Sequence, residues 1–139
     1  ETFKPIPTAE AWQLSNVPVM AMAPLRASLD LFDKAGAENL RAKSRKLTGY
    51  LQEVLEFVAE ESGSNFEIIT PMEERGAQIS LLVHGYGRPL FDYLMEHGVI
   101  ADWREPNVIR MAPVPLYNNF EDIRAFGEIL LNYLKAQQV

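Results

Sequence analysis

A chain of 139 residues, 47% hydrophobic and 23% charged, holds enough apolar material for one core of its own. Its formal charge of -6 argues against nucleic acid, which needs a basic face, and the lack of any cysteine excludes disulfides, thiolate metal sites and cysteine nucleophiles. No run approaches the roughly 20 apolar residues that span a bilayer, so a soluble protein without a membrane role is expected, and a cytoplasmic location fits.

The start, Glu1-Thr-Phe-Lys-Pro-Ile-Pro7, has no initiator Met, no basic stretch and no apolar signal-peptide core, and it reads as the middle of a longer protein. Residues 1–18 are rich in proline (Pro5, Pro7, Pro18) and form an extended connecting segment, with Trp12 and Leu14 expected in a short strand. Residues 19–139 form the domain proper. Leu25, Leu29 and Phe32 keep helical spacing up to a stop at Gly36. A longer helix follows from Ala37 to Glu61, with Leu40, Leu47, Leu51, Val54 and Val58 along one stripe, and Ser62-Gly-Ser-Asn65 ends it.

The period then shortens. Phe66–Thr70 and Ala77–His84 are strand-like and joined by the polar Pro71-Met-Glu-Glu-Arg-Gly76, which predicts a hairpin. Pro89 opens a helix with Leu90, Phe91 and Leu94 inward, and Gly98 stops it. Val99–Trp103 and Val108–Met111 make a second strand pair around Arg104-Glu-Pro-Asn107. The last helix starts at Asn119 as cap with Asp122 at its third position, and buries Phe120, Ile123, Phe126, Leu130 and Leu134. This order predicts an α+β domain, a small antiparallel sheet of about four strands with helices packed on one face.

Chemistry is sparse. His84 ends a strand, His97 suits a helix C-terminus, and their spacing suggests no metal pair. Glu73-Glu-Arg75 reads as a hydrated charge cluster, and Gly85-Tyr-Gly87 is too short to cradle a phosphate. Trp12, Trp103 and Tyr117 read as core or interface aromatics. The exception is Arg110, set inside the apolar strand Val108-Ile-Arg-Met111, where alternation puts Val108 and Arg110 on one face and Ile109 and Met111 on the other. A guanidinium there needs an anion. Its planar fork suits a carboxylate, which is either a ligand's or a neighbour's, such as Glu73 or Asp102.

Several blocks, in order along the chain, resemble the carboxyl-terminal part of kynureninases, pyridoxal-phosphate hydrolases of the class V aminotransferase group. They are Phe3-Lys-Pro-Ile-Pro7, Ser15-Asn16 followed by Pro18, Arg26-Ala-Ser-Leu-Asp30, Leu47-Thr-Gly-Tyr-Leu51, Ile68-Ile-Thr-Pro71, Glu73-Glu-Arg-Gly76 and, most specific, Ile109-Arg-Met-Ala-Pro-Val-Pro-Leu-Tyr-Asn118. The resemblance implies the C-terminal domain of a fold-type I enzyme that cleaves L-kynurenine or its 3-hydroxy form to anthranilate or 3-hydroxyanthranilate and L-alanine, in tryptophan catabolism and NAD biosynthesis. Pyridoxal phosphate serves as electron sink. It further implies that Arg110 grips the substrate's α-carboxylate, that Asn16 stands near the cofactor and the substrate's aromatic end, and that Ser15 lies beside it. The family's Schiff-base lysine and phosphate cup belong to a large domain upstream. Lys34, Lys43, Lys46 and Lys135 sit at solvated helix positions and offer no substitute, so no catalytic residue is expected in this chain, which alone should be inactive and not hold the cofactor. Exposed Trp12, Leu14, Met20 and Met22 favour a homodimer. A desulfurase reading fails for want of cysteine. The small domain of another class V enzyme and a non-catalytic amino-acid-binding regulatory module stay open as alternatives.

Overall fold

The computed structural model describes residues 2–137; Glu1, on which the reading of the chain start partly rests, lies outside them. The chain divides into two compact units, Glu1–Ala37 and Glu38–Val139.

The first unit holds a 3-10 turn, Ala9–Trp12, and helix α1, Val19–Ala35. Trp12 therefore lies in a turn, and Leu14 is in no strand, against the sequence expectation. A strand needs an edge to pair with, and the local Ala11 N–H to Thr8 C=O and Gln13 N–H to Glu10 C=O bonds satisfy this backbone without one. Helix α1 ends where predicted: Gly36 takes φ +81°, and its N–H donates to Phe32 C=O at 2.9 Å. All of Thr2–Lys34 is exposed, including the apolar Trp12, Leu14, Met20, Leu25, Leu29 and Phe32.

The second unit is built on helix α2 (Ala37–Ser62), strands β1 (Phe66–Ile68) and β2 (Ile79–Val83), helix α3 (Gly87–Glu96), strands β3 (Asp102–Arg104) and β4 (Val108–Met111), and helix α4 (Phe120–Ala136). The four strands form one antiparallel sheet in the order β1-β2-β4-β3. This is the expected α+β architecture. The second hairpin joins the sheet through β4, so the arginine-bearing strand is interior. Its neighbour β3 carries Asp102 and Arg104, charges that suit an edge.

Alternation along β2 buries Ile79, Leu81 and Val83, and on β4 Ile109 faces the same way. These pack with Leu47, Leu51, Leu55 and Val58 of α2, Leu90, Phe91 and Leu94 of α3, and Ile123, Phe126, Leu130 and Leu134 of α4 in one core. Leu55 was not in the predicted stripe but lies on it, four residues after Leu51. Phe120 departs from expectation: it is half-exposed, its ring edge-on to Tyr50 at 5.5 Å. Helices α2 and α4 approach closely at Gly127, where an added Cβ would lie 2.4 Å from Val54 Cγ1.

Two strands are shorter than their apolar runs. Thr70 Oγ1 accepts the Ser80 N–H at 2.8 Å, so a side chain replaces the ladder beyond Ile69. Val99 N–H donates to Leu94 C=O at 2.9 Å as part of the ending of α3, which removes it from the following strand.

Helix α4 opens with a capping box. Asn119 Oδ1 accepts from Glu121 N–H and Asp122 N–H at 2.8 and 3.1 Å, and Asp122 Oδ2 accepts from Asn119 N–H at 2.9 Å. That backbone bond, with a second from Asn118 Nδ2, holds the Asp122 carboxyl below its ordinary pKa. A depressed folded-state value contributes stability at neutral pH that is lost as pH falls through the aspartate range. Asn119→Ala should cost about 1 kcal/mol at neutral pH, and Asp122→Asn should flatten the loss of stability on acidification. Urea unfolding of both variants at neutral and acid pH checks this.

Candidate functional site

The sheet has two unlike faces. One carries the core; the other carries Glu67 of β1, Ser80 and Leu82 of β2, Val108 and Arg110 of β4, and Asp102 and Arg104 of β3, as the registers require. Arg110 stands opposite Ser80 on one side and Asp102 on the other. Its stem rests among half-buried Leu82, Val108 and Ser80, and its side chain keeps 32% of its exposure. The β-branched Val108 and Ile109, with Met111, explain why the sequence forms a strand here; the arginine is tolerated because this face is open to water.

Asp102 is the anion that meets Arg110. Its Oδ2 accepts from Arg110 Nε at 2.6 Å and from Arg110 Nη2, and also from Arg104 Nε at 3.0 Å. The hydrogen bond from Arg110 holds the Asp102 carboxyl below its ordinary pKa, with both guanidinium charges adding to the effect. Glu73, the other partner offered by the sequence, is exposed and makes no ion pair with Arg110 among the described residues. Of the two neighbours named from sequence, Asp102 is correct. Arg104 was missed, although the two-residue alternation of Asp102-Trp-Arg104 places it on the Asp102 face.

The turn after β4 fixes the strand's end. Asn118 Oδ1 accepts from Val114 N–H, and Val114 C=O accepts from Asn118 N–H, both at 2.8 Å. Asn118 Nδ2 donates to Asp122 Oδ2 at 3.1 Å, and Pro113 is buried. The Pro113-Val-Pro-Leu-Tyr-Asn118 string is thus a braced loop that ties the Arg110 strand to the cap of α4.

Ser15 and Asn16 belong to the first unit, where both are exposed in the segment between the 3-10 turn and α1. The remaining candidates have structural places. His97 stacks on Tyr93 at 3.9 Å, and its Nδ1 bonds Tyr93 C=O at 2.8 Å, in keeping with a helix-end role. His84 is exposed. Arg75 turns back to α2, donating to Gln52 Oε1 at 3.0 Å and to Thr48 C=O. Tyr86 Oη donates to Ser64 Oγ at 3.0 Å. Trp103 packs beside Phe91, whereas Trp12 and Tyr117 are exposed and not core. Among the described residues no three His, Asp or Glu side chains group so as to hold a metal ion, and no helix is long and apolar enough to cross a membrane.

Four lysines are named from the sequence. Lys34 and Lys46 are exposed on helices, Lys135 lies 3.6 Å from Glu61, and Lys43 is half-buried on α2 in the field of Asp122.

The chain is similar to kynureninases. It is 55% identical over 130 residues to that of Christiangramia forsetii, covering 92% of this chain and 31% of that protein. It is 51% identical over 131 residues to that of Flavobacterium psychrophilum (93% and 31%), and 54% identical over 131 residues to that of Xanthomonas euvesicatoria (91% and 30%). It therefore spans about a third of the length of the curated relatives it matches. Among solved structures, a NifS-like protein superposes with TM-score 0.72 at 16% identity, over 88% of this chain and 35% of that one. An 8-amino-7-oxononanoate synthase from Francisella tularensis does so with TM-score 0.62 at 16% identity, over 94% and 37%. These two likenesses are of fold. The profile of the kynureninase C-terminal domain matches residues 40–130, the span that carries the sheet, the Arg110–Asp102 pair and the braced loop, and the chain belongs to the kynureninase C-terminal domain family.

Proposed function

We propose that this chain is the substrate-side domain of a kynureninase, in which Arg110 binds the α-carboxylate of L-kynurenine or 3-hydroxykynurenine and orients the amino acid for cleavage to anthranilate or 3-hydroxyanthranilate and L-alanine. The observation that supports this reading is the local charge balance around Arg110 on the open sheet face. Two guanidinium groups, Arg104 and Arg110, meet one carboxylate, Asp102. Within this cluster one positive charge is left over, where an incoming carboxylate would balance it; Glu67, on the same face, lies two strands away on β1.

The division of labour follows from what each residue offers. Arg110 supplies a planar pair of donors on an interior strand, and a fixed carboxylate fixes the rest of a small amino acid, where poor orientation costs orders of magnitude in rate. Asn16, with Ser15 beside it, is assigned to the aromatic end of the substrate and to the cofactor's neighbourhood; its short amide suits hydrogen bonding there. Pyridoxal phosphate, its lysine and its phosphate cup are assigned to a large domain of the parent protein outside this chain. Residues 1–18 serve in that assembly as the connecting segment and 19–139 as the small domain. The exposed apolar side chains of the first unit fit packing against that large domain, and a cytoplasmic homodimer is the assembly we assign to the full protein.

The chain by itself should neither retain pyridoxal phosphate nor turn over kynurenine, while the full-length protein should do both. An absorbance spectrum with borohydride reduction, run beside a kynurenine assay, checks the pair of statements. A reduced cofactor fixed to a lysine of this chain alone, or a full-length protein inert towards kynurenine, would contradict them.

A further inference from the structure

We propose that Asp102 is the positioning residue of the carboxylate clamp: it holds Arg110 by one edge of the guanidinium and leaves the other edge free for the substrate. The inference rests on the reading of Arg110 given above.

A guanidinium presents two bidentate edges, the side formed by Nε and one terminal nitrogen and the end formed by the two terminal nitrogens. Asp102 takes the side: Arg110 Nε donates to Oδ2 at 2.6 Å and Arg110 Nη2 donates to the same oxygen. Nη1 and the second hydrogen of Nη2 make no hydrogen bond to a protein acceptor among the described residues, so the end of the fork is open. A substrate carboxylate can dock there without displacing Asp102.

Asp102 is in turn held. Arg104, two residues along the same strand and on the same face, donates to that oxygen at 3.0 Å. The register of β3 on β4 sets Asp102 directly opposite Arg110. The aspartate is therefore anchored through the backbone ladder and through Arg104, and Arg110 is aimed by it. An arginine has four flexible side-chain torsions and loses much rotamer freedom when fixed; a pre-formed side contact means that less of this ordering is left for the substrate to impose.

Stability does not explain the pair. Both side chains are substantially exposed, at 49% for Asp102 and 32% for Arg110, and ion pairs in that setting contribute little. Specificity does: Asp102 also repels any carboxylate that approaches the side edge, so the substrate is admitted in one orientation.

The test uses the full-length holoenzyme and the variants Asp102→Ala, Asp102→Asn and Arg110→Ala. We expect Asp102→Ala and Asp102→Asn to raise KM for the amino-acid substrate about tenfold, with a smaller change in kcat and an unchanged unfolding midpoint. In the Arg110→Ala background the Asp102 substitutions should add nothing further, since there is no guanidinium left to aim. An unchanged or lowered KM in Asp102→Ala and Asp102→Asn, beside an impaired Arg110→Ala, overturns the proposal alone, a lowered value marking Asp102 as a competitor for the arginine. Unimpaired binding in Arg110→Ala overturns the reading beneath it and the proposal together.

Discussion

Replacing Arg110 with alanine should lower kcat/KM for the amino-acid substrate of the full-length enzyme by about 100-fold or more. Truncating one partner of a hydrogen-bonded charge pair costs about 2–5 kcal/mol, and each ~1.4 kcal/mol is a factor of ten in rate. Loss of orientation adds to loss of affinity, because the clamp holds the end of the substrate remote from the scissile bond. The fold should survive, since Arg110 lies on the open face of the sheet and the core packs on the other through Ile109. Arg110→Lys should recover only part of the loss: an ammonium keeps the charge but cannot reproduce the two-donor edge or the side contact to Asp102. Steady-state kinetics on the three proteins decide it. Full recovery by lysine would mean that charge alone matters and that the fork geometry does not.

Gly127→Ala should destabilise the second unit by about 1–3 kcal/mol, the range for forcing extra volume into a packed interface. Two effects oppose each other at this site. Alanine in a helix interior gains about 1 kcal/mol over glycine, but its Cβ would lie 2.4 Å from Val54 Cγ1, closer than carbon atoms approach. Val54 is β-branched on a helix and has essentially one favoured χ1 rotamer, so swinging aside costs it that rotamer. The clash should therefore win. In a Val54→Ala background the obstacle is gone, the sign should reverse, and Gly127→Ala should become stabilising by up to about 1 kcal/mol. Urea unfolding of the four proteins of this cycle measures both signs. A Gly127→Ala protein as stable as its parent would show that α2 and α4 separate at little cost.

Much of this architecture can be read from the residues because local signals and burial agree. The stripe from Leu47 to Val58, the stop glycines Gly36 and Gly98 and the Asn119–Asp122 box each specify an element that the fold uses without competition. The departures occur where another hydrogen bond, a side-chain one or a helix-ending one, outcompetes strand propensity. Thr70 Oγ1 takes the Ser80 N–H, and Val99 closes α3, so two apolar runs end as strands earlier than their composition suggests. Trp12 and Leu14 look like a strand, but without an edge to pair with they form a turn and an exposed stretch.

The site was legible in part. Alternation alone puts Arg110 opposite the core and states its need for an anion, but it does not choose among acidic residues at different sequence distances. That choice depends on the strand order: β4 is interior and β3 lies beside it, which brings Asp102 across from Arg110 and leaves Glu73 in a loop. The second guanidinium, Arg104, follows once the register is known, and with it the local surplus of positive charge around Asp102 that supports the functional reading.

The measurement that tests the account most directly is the binding of two ligands to the full-length holoenzyme and to its Arg110→Ala variant: kynurenine, and the amine that is kynurenine without its α-carboxylate. If Arg110 clamps the carboxylate, the variant should weaken kynurenine by about 100-fold and leave the amine unchanged. Equal weakening of both ligands, or of neither, would contradict that role.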